Sequence, residues 1–153
     1  MTENITKARE FLNGKARYFM PTGERRTLLA NLSGEEGAGI ADIVLAVAKT
    51  IDTMPQTYQT AGQGADAIAH LHYCGGAVDA WITERDMGDE SGDMSQLQAF
   101  GLITMTGNRS DAELGYISIA ELILHGFELD LYWQPKTIGE LMTPSAREIF
   151  DAA

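Results

Sequence analysis

The run AIAHLHYCGGAVDAWITERD (67–86), followed by LQAFGLITM (97–105) and AELGYISIAELILHGFELDLYWQP (112–135), decides the fold. Five short β-rich stretches and one helix fit inside it. Ala67–Tyr73 and Ala77–Glu84 flank Cys74-Gly75-Gly76, and a Gly-Gly step between alternating runs signals a hairpin. Leu97–Met105 and Ala112–Ile117 read as the third and fourth strands, joined by the turn TGNRSD (106–111). Ser118-Ile119-Ala120-Glu121 is a capping box that opens a helix, and Gly126 stops it. Phe127–Trp133 reads as the fifth strand. Phe127, Leu129, Leu131 and Trp133 alternate with Glu128, Asp130 and Tyr132, so one face packs and the other meets solvent or a partner. Strands joined by short turns pair antiparallel.

Upstream, residues 1–66 read as a helical part and a connector. Ile5–Asn13 is a short helix with Thr2 or Asn4 as its cap, and Lys15–Met20 fits either a strand or continued helix. Glu24–Leu32 is a second helix, with Thr22 as its cap. After the acidic loop Ser33–Gly39 comes the longest helix, Ile40–Met54. Its Ile40, Ile43, Val44, Val47, Ile51 and Met54 form one apolar stripe. Asp42 falls in its expected first turn, where the helix dipole favours a carboxylate, and Pro55 ends it. Gln56–Asp66, rich in Gly, Gln and Thr and without period, reads as a mobile connector. Residues 136–153 give two short helices, the first opened by the capping box Thr137-Ile138-Gly139-Glu140 and the second starting at Thr143-Pro144-Ser145. The fold class expected is α+β: one domain over 1–153, a mainly antiparallel sheet of about five strands, the long helix packed on it and short helices flanking it.

A chain of 153 residues suits one domain that needs no covalent staple. Its single cysteine, Cys74, excludes an internal disulfide and fits a reducing, cytoplasmic setting. The N-terminus lacks the pattern of a signal peptide, and no apolar run approaches the ~20 residues of a membrane span. The formal net charge is -11. Residues 1–26 hold six basic and three acidic side chains; the rest of the chain holds five basic and nineteen acidic ones, a net of -14. Such a body repels nucleic acid and anionic membrane and attracts basic surfaces.

The central blocks resemble a family of small bacterial proteins known as a domain of unknown function and encoded largely on plasmids, integrative elements and phages. The matching residues are Trp81-Ile82-Thr83-Glu84, Phe100-Gly101-Leu102, Glu113-Leu114-Gly115-Tyr116-Ile117-Ser118 with Glu121-Leu122, and Glu128, Asp130, Trp133 and Pro135. Thr27–Asn31 is similar to the family's L-L-A-N helix, and the resemblance spans roughly residues 25–140. Ile82 stands where the family pattern has an aromatic, Leu129 where it has an arginine, and residues 34–66 are expanded. The resemblance implies one domain of mobile-element origin and supplies no reaction.

Candidate chemistry is sparse. His70, His72 and Cys74 at i, i+2 and i+4 share one face of a regular strand, which would offer a zinc ion three ligands, completed by Asp79 or Glu84. The same face, with Asp79, Glu128 and Asp130, would suit acid–base work if the strands adjoin. Glu84, Asp86, Asp89, Glu90 and Asp93 crowd one loop but lack the calcium-loop order of acidic positions and glycine. No nucleophile elbow, P-loop, dinucleotide fingerprint or basic-aromatic nucleic-acid surface is present.

The function expected is a non-catalytic acidic interaction module of a mobile element or phage. It would inhibit a host defence complex by occupying its basic surface, with spaced carboxylates imitating nucleic acid. The contacts would be Glu35, Glu36, Glu84, Asp86, Asp89, Glu90, Asp93, Glu128 and Asp130, with no cofactor and no direct nucleic-acid or membrane contact. The alternatives are a small enzyme or metal-binding domain on the His70/His72/Cys74 face, and a homodimer formed through an edge strand.

Overall fold

A computed structural model of the chain describes residues 2–142. Its helices are α1 (Thr2–Asn13), α2 (Thr22–Leu32), α3 (Gly37–Thr53), α4 (Ile119–Leu124) and α5 (Ile138–Met142). Its strands are β1 (Ile68–Ala69), β2 (Leu71–Gly75), β3 (Val78–Glu84), β4 (Ala99–Thr104), β5 (Glu113–Ile117), β6 (Glu128–Leu129) and β7 (Lys136–Thr137). The fold is α+β. Five strands form an antiparallel sheet in the order β5-β4-β3-β2-β6, and β1 and β7 form a separate two-stranded ribbon. The helix expected from Thr143 lies outside the described residues. Among those residues, no helix is long and apolar enough to cross a membrane.

α1, α2 and α3 form a layer on one sheet face. The α3 stripe places Ala41, Val44, Val47 and Ile51 in the core, with Ala8 and Leu12 of α1 packed alongside. From the sheet, Leu71, Tyr73, Ala80, Ile82, Ala99 and Ile117 meet them. Tyr73 is fully buried and its hydroxyl donates to the Phe19 carbonyl at 2.6 Å, which ties sheet to helical layer. Apolar burial at roughly 25 cal/mol per Å² is the main stabilising term of this core.

All three N-terminal helices start earlier than their sequence signals. α1 begins at Thr2. α2 begins at Thr22, with Pro21 before it and no side-chain cap. α3 begins at Gly37, so Asp42 lies beyond its first turn. Gly37 is what permits the tight α2–α3 corner, because a Cβ there would overlap the Leu32 carbonyl. Lys15–Tyr18 forms a 3-10 turn, not a strand.

Two expected strands are shorter than their alternation. The first divides at His70: Ile68 and Ala69 pair with β7, while Leu71 onward pairs with β3. The fifth ends at Leu129. The Asp130 side chain accepts the Tyr132 amide at 3.0 Å and its carbonyl accepts the Trp133 amide, so the chain turns. Trp133 then reaches back, its indole N–H donating to the Ala69 carbonyl at 3.0 Å.

The second sheet face is covered in part. Trp81 and Leu102 pack with Ala67, Ala69, Ile138 and Leu141 in a smaller core. α5 is held by the expected capping box: Thr137 Oγ1 accepts the Glu140 amide at 3.1 Å and donates to the Glu140 carboxylate at 3.2 Å. A β-bulge interrupts β3 between Ile82 and Glu84, so Glu84 opposes Phe100. Strict alternation would leave Glu84 on the Ile82 face. The bulge transfers it to the face of Trp81, Leu102 and Phe100.

Candidate functional site

The nine expected acidic contacts do not form one patch. Glu128 pairs with Cys74, and Cys74 pairs with Asp79 near the start of β3. The loop carrying Asp86, Asp89, Glu90 and Asp93 follows the end of β3, about 17 Å away at the rise of a strand. Glu35 and Glu36 are exposed at the α2–α3 corner.

Glu84 is not a surface residue at all. It is 3% exposed, and its carboxylate accepts the amides of Tyr58 (2.9 Å) and Thr60 (3.0 Å) and the Thr60 hydroxyl (2.6 Å). These bonds fasten the 56–66 segment to the sheet, so the stretch expected to be a mobile connector is pinned.

The loop acids mostly build their own loop. Asp86 accepts the Gly88 and Gln98 amides, Asp89 accepts from Ser91 and the Asp93 amide, and Asp93 accepts from Ser95. The Ser91 and Ser95 hydroxyls are the main cause holding Asp89 and Asp93 below the usual carboxylate range. Buried Gln96 closes the loop, accepting the Asp86 amide and donating to the Asp86 and Met94 carbonyls.

At the opposite end of β3 the carboxylates converge. His72 sits between Asp79 (Nε2 to Oδ1, 2.8 Å) and Asp130 (Nδ1 to Oδ2, 3.0 Å). Its ring stacks on Trp81 at 5.4 Å between centroids and is tilted against Trp133 at 5.0 Å. Both ring nitrogens donate together only when the imidazole is doubly protonated. Glu24 of α2 accepts the Leu129 amide at 2.9 Å from 105 positions away. Burial, and then the nearby Glu128 and Asp130 charges, push its carboxyl up to about 7 against the lowering pull of that amide.

The zinc set is not assembled. Both nitrogens of His72 are engaged by carboxylates. His70 lies in the bend between β1 and β2, lining a cleft with Thr50 of α3, Leu129 and Trp133. Burial lowers its basicity. Burial and then Asp130, Asp79, Glu128 and Glu24 push the Cys74 thiol up, which disfavours the thiolate needed for ligation or attack. Among the described residues, no group of three His, Cys, Asp or Glu is placed to hold a metal ion.

A second concavity gave no sequence signal. The 58–64 segment and the sheet enclose a pocket of about 420 Å³ walled by Tyr58, Phe100, Leu114 and Tyr116, with Glu84 at its lining. Tyr58 has φ 68°, the left-handed region, which costs a non-glycine residue about 1–3 kcal/mol. The conformation turns the Tyr58 and Thr60 amides onto one carboxylate, an anion-binding nest. Phe100 and Tyr116 stand edge to face at 5.5 Å and 81°.

Comparison with known proteins adds no relative: no family model, no curated protein and no solved structure matches the chain.

Proposed function

We propose that this protein is a non-catalytic binding module that docks on a basic partner through the edge where Glu24, Asp79, Glu128 and Asp130 meet. One observation carries this reading. Among the described residues, His72 is the only basic side chain within ion-pair distance of these four carboxylates. The field of this group, to which Glu24 adds as pH rises through about 7, steers a cationic surface into place. An open cleft of about 460 Å³, walled by Glu24, Glu128, Thr27 and Leu131, lies on this edge. It gives a basic segment apolar as well as charged contact.

The binding reading is supported over catalysis by the state of the candidate reactive groups. His72 has no free nitrogen, and the carboxylates around Cys74 oppose its ionisation. The resemblance to proteins of mobile elements gives the proposal its biological form: inhibition of a host complex that ordinarily uses its basic surface to hold nucleic acid.

The test is fluorescence anisotropy with a labelled lysine- and arginine-rich peptide at low and raised salt. Glu24→Gln with Glu128→Gln should weaken binding roughly tenfold at low salt, a loss of ~1.4 kcal/mol. Asp89→Asn with Glu90→Gln should leave it nearly unchanged. Equal losses in the two variants would overturn the edge assignment, and salt-independent binding would overturn the electrostatic reading.

A further inference from the structure

We propose that the pocket over Glu84 is a receptor for a methylated ammonium group. It lies on the sheet face opposite the helical layer, at the other end of β3 from Asp79, and shares no residue with the cleft of the acidic edge. Three observations converge on it.

The first is charge. Glu84 is buried, and no Lys or Arg makes an ion pair with it among the described residues. A buried carboxylate held only by neutral donors is attracted to a cation brought beside it.

The second is the wall. Tyr58, Phe100 and Tyr116 line the pocket, and Tyr58 and Tyr116 remain 66% and 60% exposed. Aromatic faces grouped around a negative centre attract quaternary ammonium groups through the ring quadrupole. Tyr58 and Tyr116 also hydrogen-bond to each other through their side chains, which sets both at the pocket mouth.

The third observation selects among cations. One oxygen of Glu84 already accepts two donors from Thr60, and the other accepts one from Tyr58. A carboxylate has about four acceptor positions, so one remains. An arginine fork needs a free position on each oxygen. The single position left excludes the fork, and the aromatic wall is what favours a methylated ammonium over plain lysine.

The full chain is titrated with choline, with a peptide carrying trimethyl-lysine, with its unmethylated form and with an arginine peptide, while the Tyr58, Thr60 and Tyr116 amides are followed by NMR. Saturable shifts are expected with the methylated probes, at affinities at least tenfold above those of lysine and arginine. The stronger of the choline and peptide arms identifies the source of the group. Tyr116→Ala should reduce the affinity about tenfold at unchanged thermal midpoint, and Tyr116→Phe should restore it. No shift with any probe, equal binding of arginine, or indifference to Tyr116→Ala would overturn the proposal.

Discussion

Nδ1 of His72 lies 3.0 Å from Oδ2 of Asp130, 58 residues later in the chain. Asp79 closes the other side of the ring at 2.8 Å. One imidazole thus joins β2, β3 and the turn after β6, between two tryptophans. Removing it leaves two half-buried carboxylates facing one another. His72→Ala is expected to destabilise the fold by about 2–4 kcal/mol, measured by urea unfolding. Asp79→Asn added to it should recover part of the loss by removing one of the stranded charges. Strict additivity of the two changes would show that the groups are not coupled.

Glu24 gives a pH dependence of unusual sign for a carboxylate. Its folded-state pKa is raised from 4.5 to about 7, so between those values the folded state binds more protons than the unfolded state. Its contribution is therefore fully present below pH 4.5, declines as pH rises through 7, and is lost above. Wild type should lose stability relative to Glu24→Gln as pH rises from 5 to 8. A difference in melting temperature that stays constant over that range would refute the shifted carboxyl.

Glu84 should behave as a fastener. Glu84→Gln exchanges an acceptor for an amide donor facing donors, and is expected to cost about 2–3 kcal/mol. The loss should appear locally as faster hydrogen exchange at the Tyr58 and Thr60 amides. Unchanged exchange there would mean that the segment is held by something else.

Gly101 and Gly115 face each other across β4 and β5 yet differ in space. A Cβ on Gly101 would overlap the Trp81 carbonyl, whereas one on Gly115 meets nothing within 4 Å. Gly101→Ala should cost about 3 kcal/mol or more by forcing the backbone apart. Gly115→Ala should be neutral or stabilise by about 0.5 kcal/mol. Thermal unfolding of the pair checks this directly.

The sheet was readable because its signals are local. The glycine step at 75–76, the capping boxes at Ser118 and Thr137 and the α3 stripe each concern residues within a few positions of one another. The strand ends were not, because they are set by partners. Alternation through Ala67–Tyr73 carries no sign that Ile68 pairs with Thr137. Alternation through Phe127–Trp133 hides the turn that Asp130 makes. The acidic site was half legible: Asp79, Glu128 and Asp130 stood out as charges near His72, but Glu24 lies 105 positions from the amide it accepts. Tyr58 sat in a stretch without period, where its only mark was being aromatic.

By itself the sequence determined the α+β class, the antiparallel core, the long amphipathic helix and the acidic character, since each follows from short-range pattern or composition. Tertiary structure alone decided what the charges do. One bulged residue in β3 carries Glu84 from one sheet face to the other, inside the fold and under Tyr58 and Tyr116, because a pleat has period two and a single extra residue reverses it. Pairing across the sheet then set His72 between two carboxylates, which left the edge around them as the surface where a basic partner is proposed to dock.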